Sequence, residues 1–496
     1  MHSFSENEMA ILTRLDEVVA LCKRRGFIYQ SSEIYGGLAS CYDYGPLGVE
    51  LKRNVRSAWW KSMVQMRDDV VGLDCSILMH PLVWKASGHA DKFADLVTVC
   101  RKCGTRSRVD HLADHAEEHA AHVPVETAMK NAAGLSKKVC PSCRAVGQFG
   151  EPMAFKLMFE TQMGANVDDS MTLFLRPETA QGIFANFRNV MDSTRVKVPF
   201  GIAQIGKSFR NEVTTKAFIF RTREFEQAEL EFFCEPGTDD KWYEYWKEYR
   251  YRWYIDLGLK KENLRLREHD KDELAHYAKG CVDVEYRFPF GQGDWQELEG
   301  IANRTDFDLR QHQRGMRTIN AWHENGRDLS KVKLADEDAD YLKGPLSFFD
   351  EEKKSRYVPY VIEPSAGIDR SSLAFLVDAY DEDEINGEKR SVLRFHPALA
   401  PVKCAILPLV KKDGLPEISR KLHDQLKRKF NCYYDEKSAI GRRYRRQDEA
   451  GTPWCFTIDG QTKEDQTVTV RERDSLRQER IHLDNVLNFV RDKLDM

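Results

Sequence analysis

The stretch FRNEVTTKAFIFRTREFEQAELEFF, residues 209–233, is the most informative part of the chain for the fold. Apolar and charged residues partly alternate in FEQAELEFF, as expected of an antiparallel strand, and a short loop precedes it. An arginine on a strand offers a rigid pair of donors to a phosphate oxygen, and a neighbouring glutamate can hold a metal. Charged residues on a strand are also often merely solvated, so this stretch alone leaves both interpretations open.

Four further stretches accompany this one, and only together do they identify a family. They are YDYGPLGVELKRNVRSAWW (42–60), LRPETAQG (175–182), DWQELEGIANRTDFDL (294–309) and VPYVIEPSAGIDRSSLAFL (358–376). GPLG alone predicts only a turn before a helix. FRNE followed by FRTREFEQ, however, closely resembles motif 2 of the class II aminoacyl-tRNA synthetases in its glycine-specific form. Residues 42–60 and 358–376 resemble motifs 1 and 3, and the other two stretches complete the set typical of glycyl enzymes.

The resemblance implies an α/β (α+β) fold whose catalytic core is an antiparallel sheet flanked by helices. Residues 1–99 would form the first part of that core with motif 1, and residues 151–396 the part with motifs 2 and 3. Residues 100–150 would form a zinc-knuckle insertion, and residues 397–496 a C-terminal α/β anticodon-binding domain. The length of 496 residues fits several domains, because single cores stop growing at about 250–300 residues. Motif 1 forms the two-fold interface in this family, so a homodimer is expected.

In this family the arginines of motifs 2 and 3 hold ATP. Arg210 would hold the α-phosphate, Glu212 would face the adenine amino group, and Phe225 would stack on adenine. Attack on the α-phosphorus builds charge on phosphate oxygens, so the chemistry needs positioned cations rather than a protein nucleophile. The resemblance gives Arg210 and Arg370 the catalytic role, with Mg²⁺ near Glu297. The implied ATP site consists of Arg210, Asn211, Glu212, Phe220, Arg221, Arg223, Phe225, Glu297, Leu298, Gly367 and Arg370.

Glycine offers no side chain to grip, so its site must hold the ammonium group and exclude larger amino acids. The family uses carboxylates around the amino group, and an extra methyl in a filled pocket costs about 1–3 kcal/mol. The residues implied for glycine binding are Arg108, Glu178, Phe225, Glu226, Gln227, Glu229, Glu363, Ser365 and Gly367.

Four of the twelve cysteines form two close pairs, Cys100 with Cys103 and Cys140 with Cys143. Paired CxxC knuckles place four thiolates around Zn²⁺, and the presence of two pairs favours a metal over a redox role. Zinc-bearing relatives support this interpretation, and the zinc would be structural. The other eight cysteines are scattered, which is typical of reduced core residues.

Two further patterns favour ordinary structural roles. The aromatic run at 239–257 could stack bases, but a helix packed on the sheet explains it better. His111, His115 and His119 stand at helical spacing with His122 nearby, and they could bind a metal. Acidic neighbours favour a solvated helix face instead.

After Pro397 the pattern changes to strand, helix, strand, strand, strand and terminal helix, which predicts a compact α/β domain. GRRYRRQDEAGTPWC and TVTVRERD resemble the anticodon-binding domain that several class II enzymes share. The basic run mixes cations with an aromatic ring, as phosphate contact and base stacking require, although it could also be a charged surface loop. The residues predicted to contact RNA are Arg442, Arg443, Tyr444, Arg445 and Arg446.

Charge and hydropathy agree with this assignment. From Pro401 onwards 20 basic residues face 16 acidic ones, so this segment carries +4 on a chain whose net charge is −4. The chain lacks a secretory signal and an apolar run of about 18 residues, so a cytoplasmic protein without a membrane span is expected. The expected substrates are glycine, ATP and tRNA(Gly).

Two rival hypotheses remain at this stage. A threonyl-, prolyl- or histidyl-type synthetase would share the core and tail, but the glutamate-rich segments argue against it. A synthetase-like subunit that only binds nucleic acid would typically lose the ATP-binding arginines. Arg210 and Arg370 are both present.

Overall fold

The computed structural model describes residues 6–109, 112, 134–164, 171–213, 217–271, 273–275, 278–290, 295–385 and 387–494. The helices of this part of the chain are α1 (Glu6–Arg25), α2 (Pro46–Trp60), α3 (Pro81–Ala86), α4 (His89–Lys92), α5 (Ala180–Thr194), α6 (Asp239–Asp256), α7 (Phe307–Arg317), α8 (Ile319–Glu324), α9 (Ile368–Ala379), α10 (Leu415–Leu426), α11 (Ile440–Ala450), α12 (Gly460–Asp465) and α13 (Val486–Leu494).

The strands fall into one large sheet, one five-stranded sheet and several small ones. They are β1 (Ile28–Gln30), β2 (Tyr42–Tyr44), β3 (Val70–Gly72), β4 (Ala94–Val99), β5 (Arg106–Arg108), β6 (Met153–Lys156), β7 (Glu160–Met163), β8 (Met171–Phe174), β9 (Phe200–Phe209), β10 (Glu224–Cys234), β11 (Leu264–Glu268), β12 (Gly280–Arg287), β13 (Trp295–Thr305), β14 (Phe348–Asp350), β15 (Ser355–Tyr357), β16 (Tyr360–Gly367), β17 (Tyr380–Ile385), β18 (Glu388–Leu393), β19 (Cys404–Pro408), β20 (Cys432–Tyr434), β21 (Trp454–Ile458), β22 (Thr467–Glu472) and β23 (Gln478–His482).

The large sheet has seven strands in the order β11-β12-β13-β16-β10-β9-β3. Its neighbours are antiparallel, except that β3 runs parallel to β9 at one edge. The predicted antiparallel core is therefore confirmed. The stretch 209–233 supplies the loop after β9 and most of the inner strand β10.

The two faces of this sheet differ in character along β10. Ala228, Leu230 and Phe232 are buried in the main hydrophobic core with residues of α2, α6 and α9. Successive side chains of a strand point to opposite faces, so the residues between them point the other way. That side is called the front face below, and β10 presents on it Phe225, Gln227, Glu229 and Glu231.

Helix α6 packs on the opposite, back face. Trp246, Trp253 and Tyr254 are buried in the main core, which confirms the helix predicted from the aromatic run. Arg250 of the same helix is fully buried and donates from Nε and Nη2 to Glu299 at 2.6 and 3.1 Å. An ion pair of this kind fixes α6 on the sheet, because removing one partner would leave a buried charge.

A small separate sheet, β5-β4-β6, contains strands from both sides of the boundaries predicted at residues 100 and 150. The turns that carry the two cysteine pairs follow β4 and precede β6. The histidines at 111, 115, 119 and 122 lie outside the described residues, so their predicted role stays a prediction.

The C-terminal region forms a five-stranded mixed sheet in the order β20-β19-β21-β22-β23. The strands and helices predicted after Pro397 are present, and they bury a core of their own that includes Phe456 and Val490. The basic run at 442–446, however, lies within helix α11, which the sequence analysis did not predict. None of the helices in the described part of the chain is long and apolar enough to cross a membrane.

Candidate active site

Acidic side chains from four elements meet on the front face of the large sheet. The group consists of Glu178, Glu229, Glu231, Asp308 and Glu363 around Arg304, and it is called the acidic pocket below. Carboxyl groups outnumber the cations that could pair with them. Such a group must keep protons or bind a cation, because unpaired buried charges are costly. The pocket therefore suits an ammonium group.

Glu229 of β10 is the most extensively hydrogen-bonded of these carboxylates. The backbone N–H of Thr179 donates to Oε2 at 3.0 Å, and the Thr179 hydroxyl donates to the same oxygen. Ser365 Oγ and Gln227 Nε2 donate to Oε1 at 2.7 and 3.2 Å. Burial raises the pKa of Glu229, and the charge of Glu178 adds to the effect.

Gln227 also offers an acceptor that no donor in the described part of the chain uses. Its Oε1 is buried and receives no hydrogen bond from the described residues. A buried amide oxygen without a donor costs free energy, which a ligand N–H would recover. Gln227 pairs across the strands with Gly367, which caps α9. The predicted glycine-site residues Gln227, Glu229, Ser365 and Gly367 thus lie together.

Arg304 binds two acidic residues with its whole guanidinium group. Nε and Nη2 donate to the two oxygens of Asp308 at 2.7 and 2.9 Å. Nη1 donates to both oxygens of Glu363 at 3.0 and 2.8 Å. Burial raises the pKa of Glu363 to about 8 against the attraction of Arg304, and Glu229 and Glu178 add to the rise. The sequence analysis missed Arg304 and Asp308, although their spacing of four at the start of α7 was visible.

Glu178 lies at the opposite wall of the acidic pocket, just before α5. His89 Nε2 is 3.2 Å from its Oε2, and Gln181 Nε2 donates to Oε1 at 2.9 Å. Burial disfavours the charged form of Glu178, but His89 and Arg304 outweigh it and hold its pKa well below the usual range. Glu178 therefore remains a carboxylate.

The ATP-site residues predicted from motif 2 gather at the adjoining end of β9 and β10. Arg210 follows β9, and its guanidinium carbon lies 5.4 Å from the centre of the Phe225 ring and 5.6 Å from that of Phe93. Its Nε donates to the carbonyl of Pro177 at 3.0 Å. Within the described residues its terminal nitrogens make no hydrogen bond, so they can donate to a phosphate.

Arg370 reaches the same site from the first turn of α9. Its guanidinium carbon lies 4.5 Å from the centre of the Phe220 ring, and its Nη1 donates to Glu297 Oε2 at 2.9 Å. Partial desolvation opposes ionisation of Glu297, whose side chain is half exposed, but Arg370 and Arg210 keep its pKa below the usual value.

The loop residues of motif 2 are held by backbone contacts. Asn211 donates from its backbone N–H to Leu157 at 2.7 Å. Arg223 donates from Nη1 to the carbonyl of Ala39 at 2.8 Å and from Nη2 to that of Glu212 at 3.4 Å. Arg223 therefore holds the loop in place, because both of its terminal nitrogens already donate to backbone carbonyls.

Arginines converge beside this loop. Burial lowers the pKa of Arg221, and the charges of Arg370 and Arg108 lower it further, against the attraction of Glu212. Arg108 is buried on β5, and its Nη1 lies 3.7 Å from Asp95. Mutual repulsion among these cations favours an anionic ligand between them. The acidic pocket and this basic region lie side by side on the front face.

Glu226, predicted to bind glycine, lies elsewhere. It alternates with Phe225 and Gln227 along β10 and so points to the back face. There it meets Lys52 at 3.0 Å and Arg56 at 3.3 Å, both on α2. Glu226 therefore points away from the acidic pocket, contrary to the prediction that it binds glycine.

The same back-face cluster fixes the residue before Arg370. Asp369 accepts a hydrogen bond from Lys52 Nζ at 2.7 Å and another from the Tyr44 hydroxyl. Its second oxygen accepts from the backbone N–H of Glu226 at 2.7 Å. Tyr44 and Lys52 of motif 1 thus hold motifs 2 and 3 together through hydrogen bonds and ion pairs.

Leu298, predicted at the ATP site, is the extra residue of a β-bulge in β13, where pairing with β12 shifts register. Without the bulge Glu297 and Glu299 would share a face. Instead Glu297 bonds Arg370 on the front face, and Glu299 bonds Arg250 on the back. The Leu298 side chain is buried in the core, so Leu298 can meet a ligand only through its backbone.

Two acidic residues of β12 that the sequence analysis missed, Asp283 and Glu285, lie near Glu297. Burial raises the pKa of Asp283 to about 6 and the charges of Glu297 and Glu285 add to the rise, whereas a hydrogen bond with His269 opposes it. Carboxylate oxygens are the protein ligands that Mg²⁺ prefers. The alternation in CVDVEYR was the signal that could have revealed them.

The four paired cysteines come together as predicted. The Cys100 and Cys143 sulfurs are 3.7 Å apart, as are those of Cys103 and Cys140, and all four lie within 4.8 Å of one another. A tetrahedron with Zn–S bonds of ~2.3 Å has sulfur–sulfur edges of about 3.8 Å. Hydrogen bonds from Thr105 lower the pKa of Cys103 to about 6, which favours the thiolate that a metal requires.

The basic run of the tail divides into buried and exposed members. Arg443 is buried and donates to the carbonyls of Pro408, Asp435 and Leu409. The Tyr444 hydroxyl bonds Thr457, and Arg471 lies over its ring.

Arg442, in contrast, is exposed. Arg446 is partly exposed and pairs with Asp435 at 2.5 Å, and Arg445 lies 3.8 Å from Glu388. Arg443 and Tyr444 therefore hold α11 on its sheet, whereas Arg442 faces solvent.

Comparisons with known proteins match the C-terminal region separately and the chain as a whole. The family model described as an anticodon binding domain matches residues 403–493. A glycine–tRNA ligase of Thermobifida fusca is 52% identical over 97% of this chain and 98% of its own length. Those of Acetivibrio thermocellus and Treponema denticola are 50% and 47% identical over 98% and 97% of this chain, and 100% and 97% of their own lengths. Because such identity extends over nearly the whole of both chains, the chain belongs to the glycine–tRNA ligase family.

Proposed function

We propose that this chain activates glycine with ATP and transfers the glycyl group to the 3′ end of tRNA(Gly). The observation that carries the proposal is the adjacency of the acidic pocket and the arginine-lined region on one sheet face. An ammonium held by Glu229, Glu363 and Gln227 would leave the glycine carboxylate directed towards Arg210 and Arg370. The site thus fits a substrate with an amino group at one end and a phosphate partner at the other.

In the first step a glycine carboxylate oxygen attacks the α-phosphorus of ATP, and pyrophosphate leaves. The equatorial phosphate oxygens gain charge, which Arg210, Arg221 and Arg370 stabilise without reorganisation. Asp283, Glu285 and Glu297 would hold Mg²⁺, which neutralises phosphate charge when bound. In the second step the 3′-terminal ribose hydroxyl attacks the glycyl carbonyl carbon and AMP leaves.

Selection for glycine follows from how the acidic pocket is filled. Gln227, Glu229 and Ser365 are joined by hydrogen bonds, and Thr179 closes the far side of Glu229. A methyl group would have to displace one of these bonded side chains, which costs about 1–3 kcal/mol. Alanine would therefore be excluded without an editing step.

The test is pyrophosphate exchange with ATP across a panel of amino acids. We expect exchange with glycine and at most a few per cent of that rate with alanine, threonine, proline or histidine. A maximum with threonine, proline or histidine would support the related synthetases. No exchange with any amino acid would support a chain that only binds nucleic acid.

We also propose that the four clustered thiolates hold a structural Zn²⁺. Replacing Cys103 by serine should remove the metal, because a hydroxyl is a poor substitute for a thiolate ligand. Metal analysis of reduced wild-type protein should find about one zinc per chain. Cys41→Ser, a half-buried cysteine outside the cluster, is the control and should keep the metal. Zinc-free wild-type protein would contradict the proposal.

For tRNA we propose that the exposed Arg442, with Arg445 and Arg446, contacts the phosphate backbone. Arg442→Ala combined with Arg445→Ala should weaken tRNA binding and lower the salt slope by about 1–2. Glycine-dependent exchange should be unchanged, since these residues lie on α11, outside the acidic pocket and the ATP site. The control is Lys197→Ala, whose side chain is 79% exposed in the catalytic part. An unchanged salt slope in the double variant would contradict this assignment.

We further propose that residues 100–150 form the zinc-knuckle insertion and residues 397–496 the anticodon-binding domain. We also propose that the protein works in the cytoplasm, where translation occurs. Finally, we propose that two copies form a homodimer through motif 1. Ile34 and Tyr35, in the loop before motif 1, are each 87% exposed. Exposed apolar patches mark interaction surfaces, and a second copy would cover this one.

A further inference from the structure

One carboxyl group of the acidic pocket has no role in the function proposed above. Glu231 is completely buried, and no donor among the described residues reaches either of its side-chain oxygens. An ionised carboxylate in that position would carry the full cost of desolvation without compensation. Such a residue requires a physical explanation.

The strand register places Glu231 opposite Glu363. In the pairing of β10 with β16, Glu229 faces Ser365 and Phe232 faces Ile362. Glu231 and Glu363 occupy matching positions between these pairs, both on the front face. Directly opposed residues of antiparallel strands have Cβ atoms about 4.5–5.5 Å apart, which brings the two carboxyl groups within reach of a hydrogen bond with each other.

Two facing carboxyl groups can form this bond only if one of them carries a proton. Glu363 accepts two N–H contacts from Arg304, whereas Glu231 accepts none from the described residues. The proton therefore belongs on Glu231. Burial raises the pKa of Glu231 well above its usual value, and the charge of Glu363 adds to the effect, against the attraction of Arg304.

We propose that Glu231 is a positioning residue that keeps its proton when glycine binds and donates a hydrogen bond to Glu363. Glu363 is then held on one side by Arg304 and on the other by Glu231, with its charge directed at the glycine ammonium. This inference rests on the proposed function, because it assigns a role within the same glycine site.

A neutral donor is better suited to this position than a second charge or an apolar group. A charged Glu231 would repel Glu363 across the strands. An apolar residue would leave Glu363 with one support and a freely rotating carboxylate. A protonated carboxyl supplies a strong O–H···O⁻ bond and leaves the net charge of the acidic pocket to Glu178, Glu229 and Glu363.

Two substitutions of Glu231 distinguish the effect of its donated hydrogen bond from the effect of a negative charge at that position. Glu231→Gln keeps a neutral donor of the same shape, so the KM for glycine in exchange should stay within roughly threefold of wild type. Glu231→Leu removes the donor, so that KM should rise about 10-fold or more, the scale for losing a hydrogen bond to a charged group. The KM for ATP should not change in either variant.

Infrared difference spectra provide a readout that does not depend on turnover. The wild-type protein with saturating glycine should show the carbonyl band of a protonated carboxyl group, and Glu231→Gln should lack it. A Gln variant as impaired as the Leu variant would show that Glu231 acts through its charge and would overturn the proposal. So would a Leu variant with an unchanged KM, or a band that persists in Glu231→Gln.

The proposed function fails separately from this inference. Wild-type protein without glycine-dependent exchange would overturn the function, whereas the loss of carboxyl band intensity from wild type to Glu231→Gln, recorded also without glycine, would still decide whether Glu231 is protonated. If Glu231→Leu does not fold, the infrared comparison of wild type with Glu231→Gln decides alone.

Discussion

Replacing Arg210 by alanine is expected to lower glycine-dependent pyrophosphate exchange by at least ~100-fold while leaving the protein folded. The guanidinium is fixed beside Phe225 by its bond to the carbonyl of Pro177 and keeps its terminal donors for a ligand. A donor held in place before the reaction stabilises the developing phosphate charge at no cost of reorganisation. The loss should therefore appear in kcat as well as in kcat/KM.

The matched control is Arg188→Ala. Arg188 lies on α5, is half exposed and pairs only with Asp192 one turn away among the described residues. Its replacement should leave exchange within about twofold of wild type, since exposed helix pairs contribute little. Exchange at the wild-type rate in Arg210→Ala would exclude the assignment of motif 2 to the α-phosphate.

Side chains of β10 alternate between the two faces of the sheet, and this alternation shows which site residues could be predicted from the sequence. The stretch FEQAELEFF, residues 225–233, could be identified as a strand, and its family resemblance pointed to the glycine site. Strand periodicity then separates Gln227 and Glu229 from Glu226, whose carboxylate meets Lys52 on the back face. The prediction included Glu226 because motif membership, and not side-chain direction, selected it.

Two features depend on long-range register, which one sequence does not reveal. The bulge at Leu298 directs Glu297 and Glu299 to opposite faces, although their spacing of two predicts the same face. The position of Glu231 opposite Glu363 depends on the pairing of two strands about 130 residues apart. Local patterns locate strands, but they do not specify which carboxyl groups will face each other.

The tail illustrates a different limit. A run of four arginines and a tyrosine suggests RNA contact by composition, and composition does not show which side of a helix is buried. Arg443 and Tyr444 occupy the inward side of α11, where backbone carbonyls accept from the terminal nitrogens of Arg443 and Thr457 bonds the Tyr444 hydroxyl. The cysteine pairs were predictable because their spacing itself constrains the geometry of the four sulfurs.

Replacing Arg304 by methionine should have the largest combined effect on stability and activity. Its guanidinium is almost fully buried and is the shared partner of Asp308 and Glu363. Methionine fills much of the volume but leaves two carboxylates without their cation, which costs about 3–5 kcal/mol when a buried pair is broken. Glycine-dependent exchange should fall by ~100-fold or more, because Glu363 loses the bond that orients it towards the ammonium.

Chemical denaturation and exchange should be measured on Arg304→Met, Arg304→Lys and Arg188→Met. Lysine keeps the charge but cannot bind Asp308 and Glu363 with a planar fork, so it should fall between wild type and Arg304→Met in both measurements. Arg188→Met removes an exposed helix pair and should cost less than ~0.5 kcal/mol. If Arg304→Met were as stable and active as Arg188→Met, the acidic pocket would not depend on a central cation. The arrangement of its carboxylates around glycine would then need another explanation.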